Sequence, residues 1–346
     1  MKRKFFYLAV ACLVIIVGTA YFYFFSSFLR PGTGTYDLYI DRDDTIDSVY
    51  AKLSPAANKA PFNGLKTFIR QSHYKENIKT GRYQIEEGQG AFTVFRRLKN
   101  GQQTPVKLTI PSVRTLDRLA AELSEKLMLD STEIADALFS DQVCQQYGYD
   151  TTTIACMFIP NTYEIYWNTS LDHFLERMQK EKDKFWEANQ RKDKADAAGL
   201  TPNEVVTLAS IVDEETSNNA EKPMIAGMYL NRLNLSSPEY PNGMPLQADP
   251  TVKFAWKKFE LRRIYNKLLY IDSPYNTYRY PGLPPGPIRI PSVAGIDAVL
   301  NYTHHHYLYM CAKEDFSGTH NFAATYAEHL QNAAKYSKAL NARGIK

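Results

Sequence analysis

Three consecutive acidic residues, Asp213, Glu214 and Glu215, stand near the end of the segment TPNEVVTLASIVDEET, which spans Thr201–Thr216. The segment predicts a helix whose apolar stripe leads directly into these acids. A carboxyl group at the edge of an apolar surface tends to have a raised pKa, because burial disfavours its charged form. A carboxylic acid that stays protonated near neutral pH can act as a general acid, so this segment is the first candidate for chemistry.

The predicted helix has a clear start. Thr201 suits the N-cap, Pro202 the first helical position and Glu204 the third position of a capping box. The apolar stripe that follows has the spacing i, i+3, i+4 and i+7, and it consists of Val205, Leu208, Ala209 and Val212. Together these signals predict one helix that ends at the acids.

The helical periodicity separates the three acids only in part. At about 100° per residue, Glu214 points away from the apolar stripe, whereas Asp213 and Glu215 flank it. Two candidates therefore remain, Asp213 and Glu215, and periodicity cannot choose between them. The alternative is that all three acids are solvated, since charged side chains are mostly exposed.

The N-terminus predicts a membrane anchor. The basic residues MKRK are followed by a run without charged residues, Phe5–Phe28. As a helix this run is ~36 Å long, enough to cross a hydrocarbon core of ~30 Å. The basic end should stay cytoplasmic, which places residues 1–4 inside and the bulk of the chain outside. The alternative is a cleaved signal peptide, but bulky aromatic residues and Arg30-Pro31 follow the run where a small-x-small cleavage site is expected.

Composition excludes several classes of protein. The chain has 346 residues and a formal net charge of only +4, with Lys and Arg scattered among acids, which argues against a nucleic-acid binder. Only Cys144, Cys156 and Cys311 lie outside the predicted span, so at most one disulfide can form there. No CxxC spacing for a metal occurs.

The order of predicted elements indicates an α+β fold in two parts after the anchor. In residues 35–105, a strand (YDLYI) and two helices precede a strand after Gly81 and a helix that ends at Gly101. This unit is similar to the small LysM-like modules that precede cell-wall enzymes; the alternative is a plain structural spacer. Residues 106–346 form a larger mixed α/β part, which includes a charged helix from Leu171 to about Ala198 with a solvated face.

Several motifs occur in an order that resembles a known family. IVDEET is followed by AGMYLNRL, by GMPLQADPTV, by SPYNTYRYPGLPPGPI and by a C-terminal block, YLYMCA…GTHNFAATYAEH. This ordered combination closely resembles the endolytic murein transglycosylase family, also called YceG-like or MltG. The resemblance covers nearly the whole chain, including the anchor and the LysM-like region.

The resemblance implies a single-pass enzyme of the bacterial inner membrane, with its catalytic domain on the periplasmic side. Such an enzyme is a lyase that cleaves the MurNAc–GlcNAc bond within peptidoglycan strands, leaves 1,6-anhydroMurNAc ends and ends strand elongation beside the peptidoglycan synthases. It needs no cofactor and no metal. In the family, the catalytic Glu precedes a hydroxyl residue, which here selects Glu215, followed by Thr216, over Asp213.

Two polar loops are expected to bind the sugars. They contribute Gln247, Asp249, Thr251, Tyr275, Asn276 and Thr277. Such loops suit binding, but Asx and Pro turns use the same residue types for structural reasons. Asp249 could also be a second carboxylate, which would favour hydrolysis. Relatives often carry a Glu-Gly pair and an aspartate where this chain has Ala155, Cys156 and Asn161, so we assign no essential charge there.

Two other functions remain as alternatives. The first is a peptidoglycan-binding adaptor that has lost its chemistry. The second is a metal-dependent hydrolase, which only the tract His304–His306 favours. Neighbouring positions in a helix or strand do not face one point, so these three side chains cannot all bind one ion. His320 and His329 are either structural or substrate-facing.

Overall fold

A computed structural model describes residues 2–261 and 264–343, and it shows a mixed α and β protein. The chain divides into two compact units. The first comprises the chain up to Leu108 together with Ser124–Leu129 and Tyr163–Ser170, and the second comprises the remainder. The first unit thus includes two short segments from beyond residue 105.

The first unit begins with an apolar helix. Two antiparallel strands follow, β1 and β2, and two α-helices lie between them in the sequence. Tyr36 pairs with Ile85 and Ile40 with Gly81. β3 pairs with β4, which follows much later in the chain. The elements are α1 (Lys2–Phe25), β1 (Thr35–Ile40), α2 (Ile46–Leu53), α3 (Lys59–Arg70), a 3-10 helix (His73–Glu76), β2 (Gly81–Glu86), α4 (Ala91–Asn100), β3 (Val106–Thr109) and β4 (Thr162–Ile165).

The predicted C-terminal end of α4 and the predicted start of β2 agree with the structure. Gly101 caps α4 with φ 64°, a left-handed conformation that glycine adopts at little cost. The strand predicted after the Gly81 turn begins at Gly81 itself. α3 begins at Lys59, directly after its N-cap Asn58.

The apolar helix α1 is long enough and apolar enough to cross a membrane: its mean hydropathy is 2.3 over Arg3–Phe25. Residues 3–22 are exposed, whereas the end of the helix packs on α3 and α4. Gly64 permits this contact, because a Cβ there would lie 2.4 Å from the carbonyl oxygen of Tyr23. Phe28, at the end of the predicted span, is fully buried in the core of the first unit.

The second unit is largely helical. Its helix α10 contacts α9, α11, α12 and α13, and a two-stranded antiparallel sheet, β5–β6, packs on α14. The elements are α5 (Leu116–Ser124), α6 (Ser131–Leu138), α7 (Asp141–Gln146), a 3-10 helix (Ile154–Met157), α8 (Leu171–Glu187), a 3-10 helix (Ala188–Gln190), α9 (Arg191–Ala197), α10 (Pro202–Glu215), α11 (Lys222–Asn234), α12 (Asp249–Ala255), a 3-10 helix (Asn266–Leu268), α13 (Val293–Leu300), β5 (Tyr309–Ala312), β6 (His320–Ala323) and α14 (Tyr326–Ala342).

The single charged helix predicted from Leu171 to about Ala198 is wrong. The chain breaks between α8 and α9, where Asn189 and Gln190 have φ values of 58° and 57°. Its charges are also not all solvated. Arg191 is 7% exposed and binds Asp297 of α13 through two nitrogens, at 2.9 and 3.1 Å.

Candidate active site

Helix α10 has the predicted start but is more deeply buried than an amphipathic helix. The side chain of Thr201 accepts a hydrogen bond from the Glu204 N–H, and Glu204 accepts one from the Thr201 N–H at 2.7 Å, which completes the capping box. Every residue from Val205 to Val212 is buried. The two polar residues in this stretch, Thr207 and Ser210, donate to backbone carbonyls of the helix itself. The acids at its end therefore emerge from the protein interior.

Asp213 is held in a buried ion pair. Its Oδ1 lies 2.8 Å from Nζ of Lys222, and the two side chains are 2% and 6% exposed. Its Oδ2 accepts a hydrogen bond from the backbone N–H of Ser292, the N-cap of α13, at 2.5 Å. Through these contacts, Asp213 connects α10 to the starts of α11 and α13.

Glu214 points to a different side of the helix end and meets two arginines. Arg114 binds both its carboxylate oxygens, at 2.8 and 2.9 Å, and Arg289 binds Oε1 at 2.8 Å. The glutamate side chain is 11% exposed. The alternative that all three acids are solvated is thus wrong for Asp213 and Glu214, because charged side chains from other segments of the chain bind both.

Glu215 faces a cavity and has no cationic side chain within ion-pair distance among the described residues. It is half-buried, and its Oε1 accepts a hydrogen bond from the Tyr229 hydroxyl of α11 at 2.7 Å. Burial raises the pKa of the Glu215 carboxyl, while the Tyr229 hydrogen bond opposes that effect. The negative charge of Asp249 raises the pKa further. The carboxyl is therefore biased towards its protonated form.

The cavity at Glu215 has a volume of about 240 Å³. Its walls come from α10, α11, the start of α12, the loop after it, and both strands of the β5–β6 sheet. The lining residues are Glu215, Met228, Tyr229, Arg232, Leu246, Gln247, Asp249, Tyr278, Met310, Cys311, Ala312 and His320. Six separate elements, the two strands counted singly, must therefore come together to form this site.

Two positively charged or chargeable side chains face the same cavity. Arg232 is 6% exposed and donates to the carbonyl oxygens of Leu308 and Leu246, each at 2.6 Å. Burial lowers the pKa of Arg232, and no acidic side chain pairs with it in the part of the chain that the structure describes. His320 is held through Nδ1 by Glu221 at 3.0 Å, and its backbone N–H donates to the same carboxylate at 2.6 Å.

The structure brings two of the six predicted sugar-binding residues to Glu215. Gln247 is exposed in the cavity wall with φ 50°, and Asp249 accepts a hydrogen bond from the Tyr278 hydroxyl at 2.6 Å. A second carboxylate–tyrosine pair thus lines the same cavity as Glu215 and Tyr229.

The other four predicted residues lie elsewhere. Thr251, Asn276 and Thr277 are at most 1% exposed. Their side chains bond to each other or to the backbone: Thr251 and Thr277 are 2.8 Å apart, and Asn276 donates to the carbonyl oxygens of two loop residues. Tyr275 lines a separate cavity of about 150 Å³. These residues position the loop that carries Tyr278.

The histidine tract does not form a shared site. His305 makes internal hydrogen bonds with Asn231 and with the carbonyl oxygen of Met224. In residues 2–261 and 264–343, no group of three His, Cys, Asp or Glu side chains could hold a metal ion. The four cysteines are free thiols, and Cys311 lies in the wall of the Glu215 cavity.

The family of this chain follows from its sequence. A family model described as the YceG-like family matches residues 38–335. The chain belongs to the YceG-like family. The matched region contains the complete lining of the Glu215 cavity.

Similar proteins agree with the YceG-like assignment. The chain is similar to a protein of Bacillus subtilis named endolytic murein transglycosylase, with 28% identity over 295 residues, which covers 80% of this chain and 78% of that protein. A protein of the same name from Streptococcus pneumoniae is 27% identical over 299 residues, and the chain spans 52% of its length. A crystal structure of a yceG-like protein from Listeria monocytogenes has the same fold, with a TM-score of 0.53, 23% identity and coverage of 86% and 98% of the two chains.

Sequence reasoning on this YceG-like chain missed part of the site. Tyr229 and Arg232 lie within the quoted motif AGMYLNRL, and Tyr278 lies within SPYNTYRYPGLPPGPI, but none was singled out. Tyr229 and Arg232 lie among apolar residues of one predicted helix, and that setting gave no sign of a polar cavity. Glu221 carried no signal at all, since its partner His320 is 99 residues away.

Proposed function

We propose that this YceG-like protein is a membrane-anchored endolytic lytic transglycosylase that cleaves the MurNAc–GlcNAc bond within peptidoglycan strands. The observation that carries the proposal is Glu215, a half-buried carboxyl whose pKa is raised by burial and which faces a cavity. The relatives named endolytic murein transglycosylase support the same chemistry.

Glu215 can serve as both acid and base in such a reaction. Protonated Glu215 donates its proton to the glycosidic oxygen as the bond from C1 to that oxygen breaks. The C6 hydroxyl of the same MurNAc attacks C1 and transfers its proton to the Glu215 carboxylate, which restores the acid. The product is a 1,6-anhydroMurNAc end, and no water is consumed. Attack within one sugar is efficient because the nucleophile is already positioned.

The cavity contains groups that suit both stages. The Tyr229 hydroxyl donates to Glu215 and stabilises the carboxylate that exists between the two proton transfers. Arg232 and His320 offer donors for substrate oxygens, and Gln247 offers an amide. Asp249 places a negative charge near the reacting carbon, where positive charge develops.

The apolar helix α1 supports the proposed location. Its length and composition suit a single pass through the inner membrane, with the basic N-terminus in the cytoplasm and the catalytic domain on the periplasmic side. The strand-helix-helix-strand order from β1 to β2 supports a LysM-like interpretation of the first unit. In this position the enzyme would end the elongation of nascent strands beside peptidoglycan synthases.

A hydrolase is the second candidate, and one observation favours it. Asp249 lines the same cavity as Glu215 and could activate a water molecule as a general base. Hydrolysis would leave reducing ends in place of anhydro ends. If the protein is a hydrolase, the Asp249→Asn variant should lose all cleavage. If it is a transglycosylase, the same variant should retain part of its activity.

The test uses the full chain in detergent with purified, uncrosslinked glycan strands, and mass spectrometry of the products. We expect anhydro-ended fragments that disappear in Glu215→Gln and persist in Glu214→Gln, a neighbouring acid outside the cavity. Reducing ends would support hydrolysis. Binding without any cleavage would support the adaptor alternative, and full activity of Glu215→Gln would overturn the assignment of Glu215.

A further inference from the structure

Glu221 and His320 form a hydrogen-bonded pair in the second unit, at the wall of the Glu215 cavity. Glu221 directly precedes α11, and His320 is the first residue of β6. One oxygen of the Glu221 carboxylate lies 3.0 Å from Nδ1 of the imidazole, and the other accepts a hydrogen bond from the backbone N–H of His320 at 2.6 Å. A single carboxylate therefore fixes both the backbone and the ring of one histidine.

This pair is largely shielded from solvent. The side chains of Glu221 and His320 are 8% and 17% exposed. A carboxylate that is removed from water needs hydrogen bonds to its oxygens, and His320 supplies one to each. The backbone bond alone would join β6 to the start of α11, whereas the second bond sets the orientation of the imidazole. In metal sites and acid–base sites, a carboxylate bound to one ring nitrogen orients the other nitrogen towards its ligand.

A comparison with His305 separates a structural histidine from one that can bind a ligand. Both ring nitrogens of His305 have partners within the protein: Nδ1 contacts Asn231, and Nε2 contacts the carbonyl oxygen of Met224. At His320 only Nδ1 is used in this way. Nε2 of His320 has no hydrogen-bond partner among the residues that the structure describes, and the side chain lines the Glu215 cavity. Nε2 is thus left for a group that enters the cavity.

The Glu221 contact also decides which atom of the imidazole carries a proton. An ionised carboxylate only accepts hydrogen bonds, so Nδ1 of His320 is the donor whether the ring is neutral or charged. Nε2 then has a lone pair in the neutral ring and an N–H in the charged ring. A sugar hydroxyl can both donate and accept, so it pairs with Nε2 in either state. An apolar ligand would leave this nitrogen unpaired.

His320 reaches the cavity from the β5–β6 sheet, whereas Glu215 and Asp249 come from α10 and α12. Burial raises the pKa of Glu215, and a positive charge on His320 acts against this rise, so the two side chains interact electrostatically. The cavity has a volume of only about 240 Å³. A sugar ring that reaches Glu215 therefore also lies near His320.

We propose that Glu221 and His320 act as one substrate-binding unit. Nε2 of His320 binds a sugar hydroxyl next to the bond that Glu215 cleaves, and Glu221 is a positioning residue that acts through His320. The identity of the saccharide as peptidoglycan rests on the proposed function, whereas the hydroxyl-binding chemistry rests on the geometry of the pair.

The first test is His320→Asn in the full chain in detergent. The amide of Asn occupies the position of Nδ1 and can still donate to Glu221, but it has no counterpart of Nε2. Binding of uncrosslinked glycan strands is measured by isothermal titration calorimetry, with Glu215→Gln in every variant so that strands are not cut. We expect binding to weaken about tenfold, the effect of one lost hydrogen bond. The midpoint of urea unfolding should match that of the parent, because the contact with Glu221 remains.

A double-variant cycle tests whether Glu221 acts through His320. Glu221→Ala releases the imidazole and should weaken strand binding several-fold when made alone. In the His320→Asn background the same change should cost less than about twofold, because Nε2 is already absent. Glu221→Asp, whose shorter side chain cannot make both bonds, takes the place of Glu221→Ala if that variant does not fold. Glu314→Ala is the matched control and should bind like the parent, since Glu314 bonds to Asn321, the residue after His320, but lies outside the cavity lining.

The outcomes separate this proposal from the proposed function. Unchanged strand binding in His320→Asn, or an equal loss from the Glu221 variant in both backgrounds, would overturn the proposal. Cleavage is scored separately with Glu215 intact. A chain that binds strands through His320 but does not cut them overturns the proposed function alone, and a chain that neither binds nor cuts overturns both. In an active chain, His320→Asn should raise KM and change kcat less than about threefold, and an unchanged KM would count against His320.

Discussion

Replacing Asp213 by Asn should destabilise the protein far more than the corresponding carboxylate-to-amide change at Glu215. Asp213→Asn keeps the side-chain shape but leaves the Lys222 ammonium, 6% exposed, without its carboxylate partner at 2.8 Å. The remaining polar contact of Lys222 is the Ser292 hydroxyl at 3.4 Å. Removing one member of a buried ion pair typically costs about 3–5 kcal/mol, because the other charge stays desolvated. We expect a loss of unfolding free energy in that range.

Urea unfolding, followed by tryptophan fluorescence of the full chain in detergent, measures this loss. The double variant Asp213→Asn/Lys222→Met removes both charges and should recover most of the stability, because an apolar replacement of a buried pair is often nearly neutral. Glu215→Gln is the control, since it makes the same chemical change two residues away without breaking an ion pair. A loss below about 1 kcal/mol for Asp213→Asn, or an equal loss in the double variant, would refute this account.

Three further predictions concern the same helix end. Glu215→Gln should lower turnover of glycan strands by about 10²–10⁴-fold. Because the pKa of Glu215 is raised in the folded state, its negative charge destabilises the fold only above the usual glutamate pKa. Thermal melting should therefore show that the variant is at least as stable as the parent at neutral pH and equally stable in acid. Tyr229→Phe removes the hydrogen bond that lowers the Glu215 pKa, so the alkaline limb of the pH profile of kcat/KM should move to higher pH; an unmoved or lowered limb would contradict this role. Gly295→Ala would place a Cβ 2.4 Å from Oδ1 of Asp213 and should cost about 1–3 kcal/mol in urea unfolding, whereas native stability would show that Asp213 is not held in place.

The sequence correctly predicted helix ends that depend only on residues close together in the chain. The capping box at Thr201 and the C-cap at Gly101 were both found where the sequence indicated them, because each needs only residues close in the chain. The break between α8 and α9 was not foreseen. Asn189 and Gln190 adopt positive φ in a stretch of good helix formers, where Arg191 turns inward to reach Asp297, 106 residues away.

The candidate site, too, was predicted only where residues close together in the chain decide the structure. The helical wheel narrowed three acids to two, and the family resemblance selected Glu215. Of the six loop residues predicted to bind sugar, only Gln247 and Asp249 line the cavity. Residue type alone could not separate them from Thr251, because a polar side chain serves equally well to bind a ligand and to bond a buried loop to its neighbour.

The sequence by itself determined the apolar N-terminal helix, the start and end of α10, the presence of three acids at its end, and the family. The tertiary structure decided the role of each acid by supplying its partner: Lys222 for Asp213, two arginines for Glu214, and the Tyr229 hydroxyl and a cavity for Glu215. Tyr229, the hydrogen-bond partner of Glu215, lies 14 residues from it in the sequence, whereas Arg289 lies 75 residues from its partner Glu214. The pKa of a carboxyl depends on burial and on charges brought together in space, and periodicity along one helix carries no information about either.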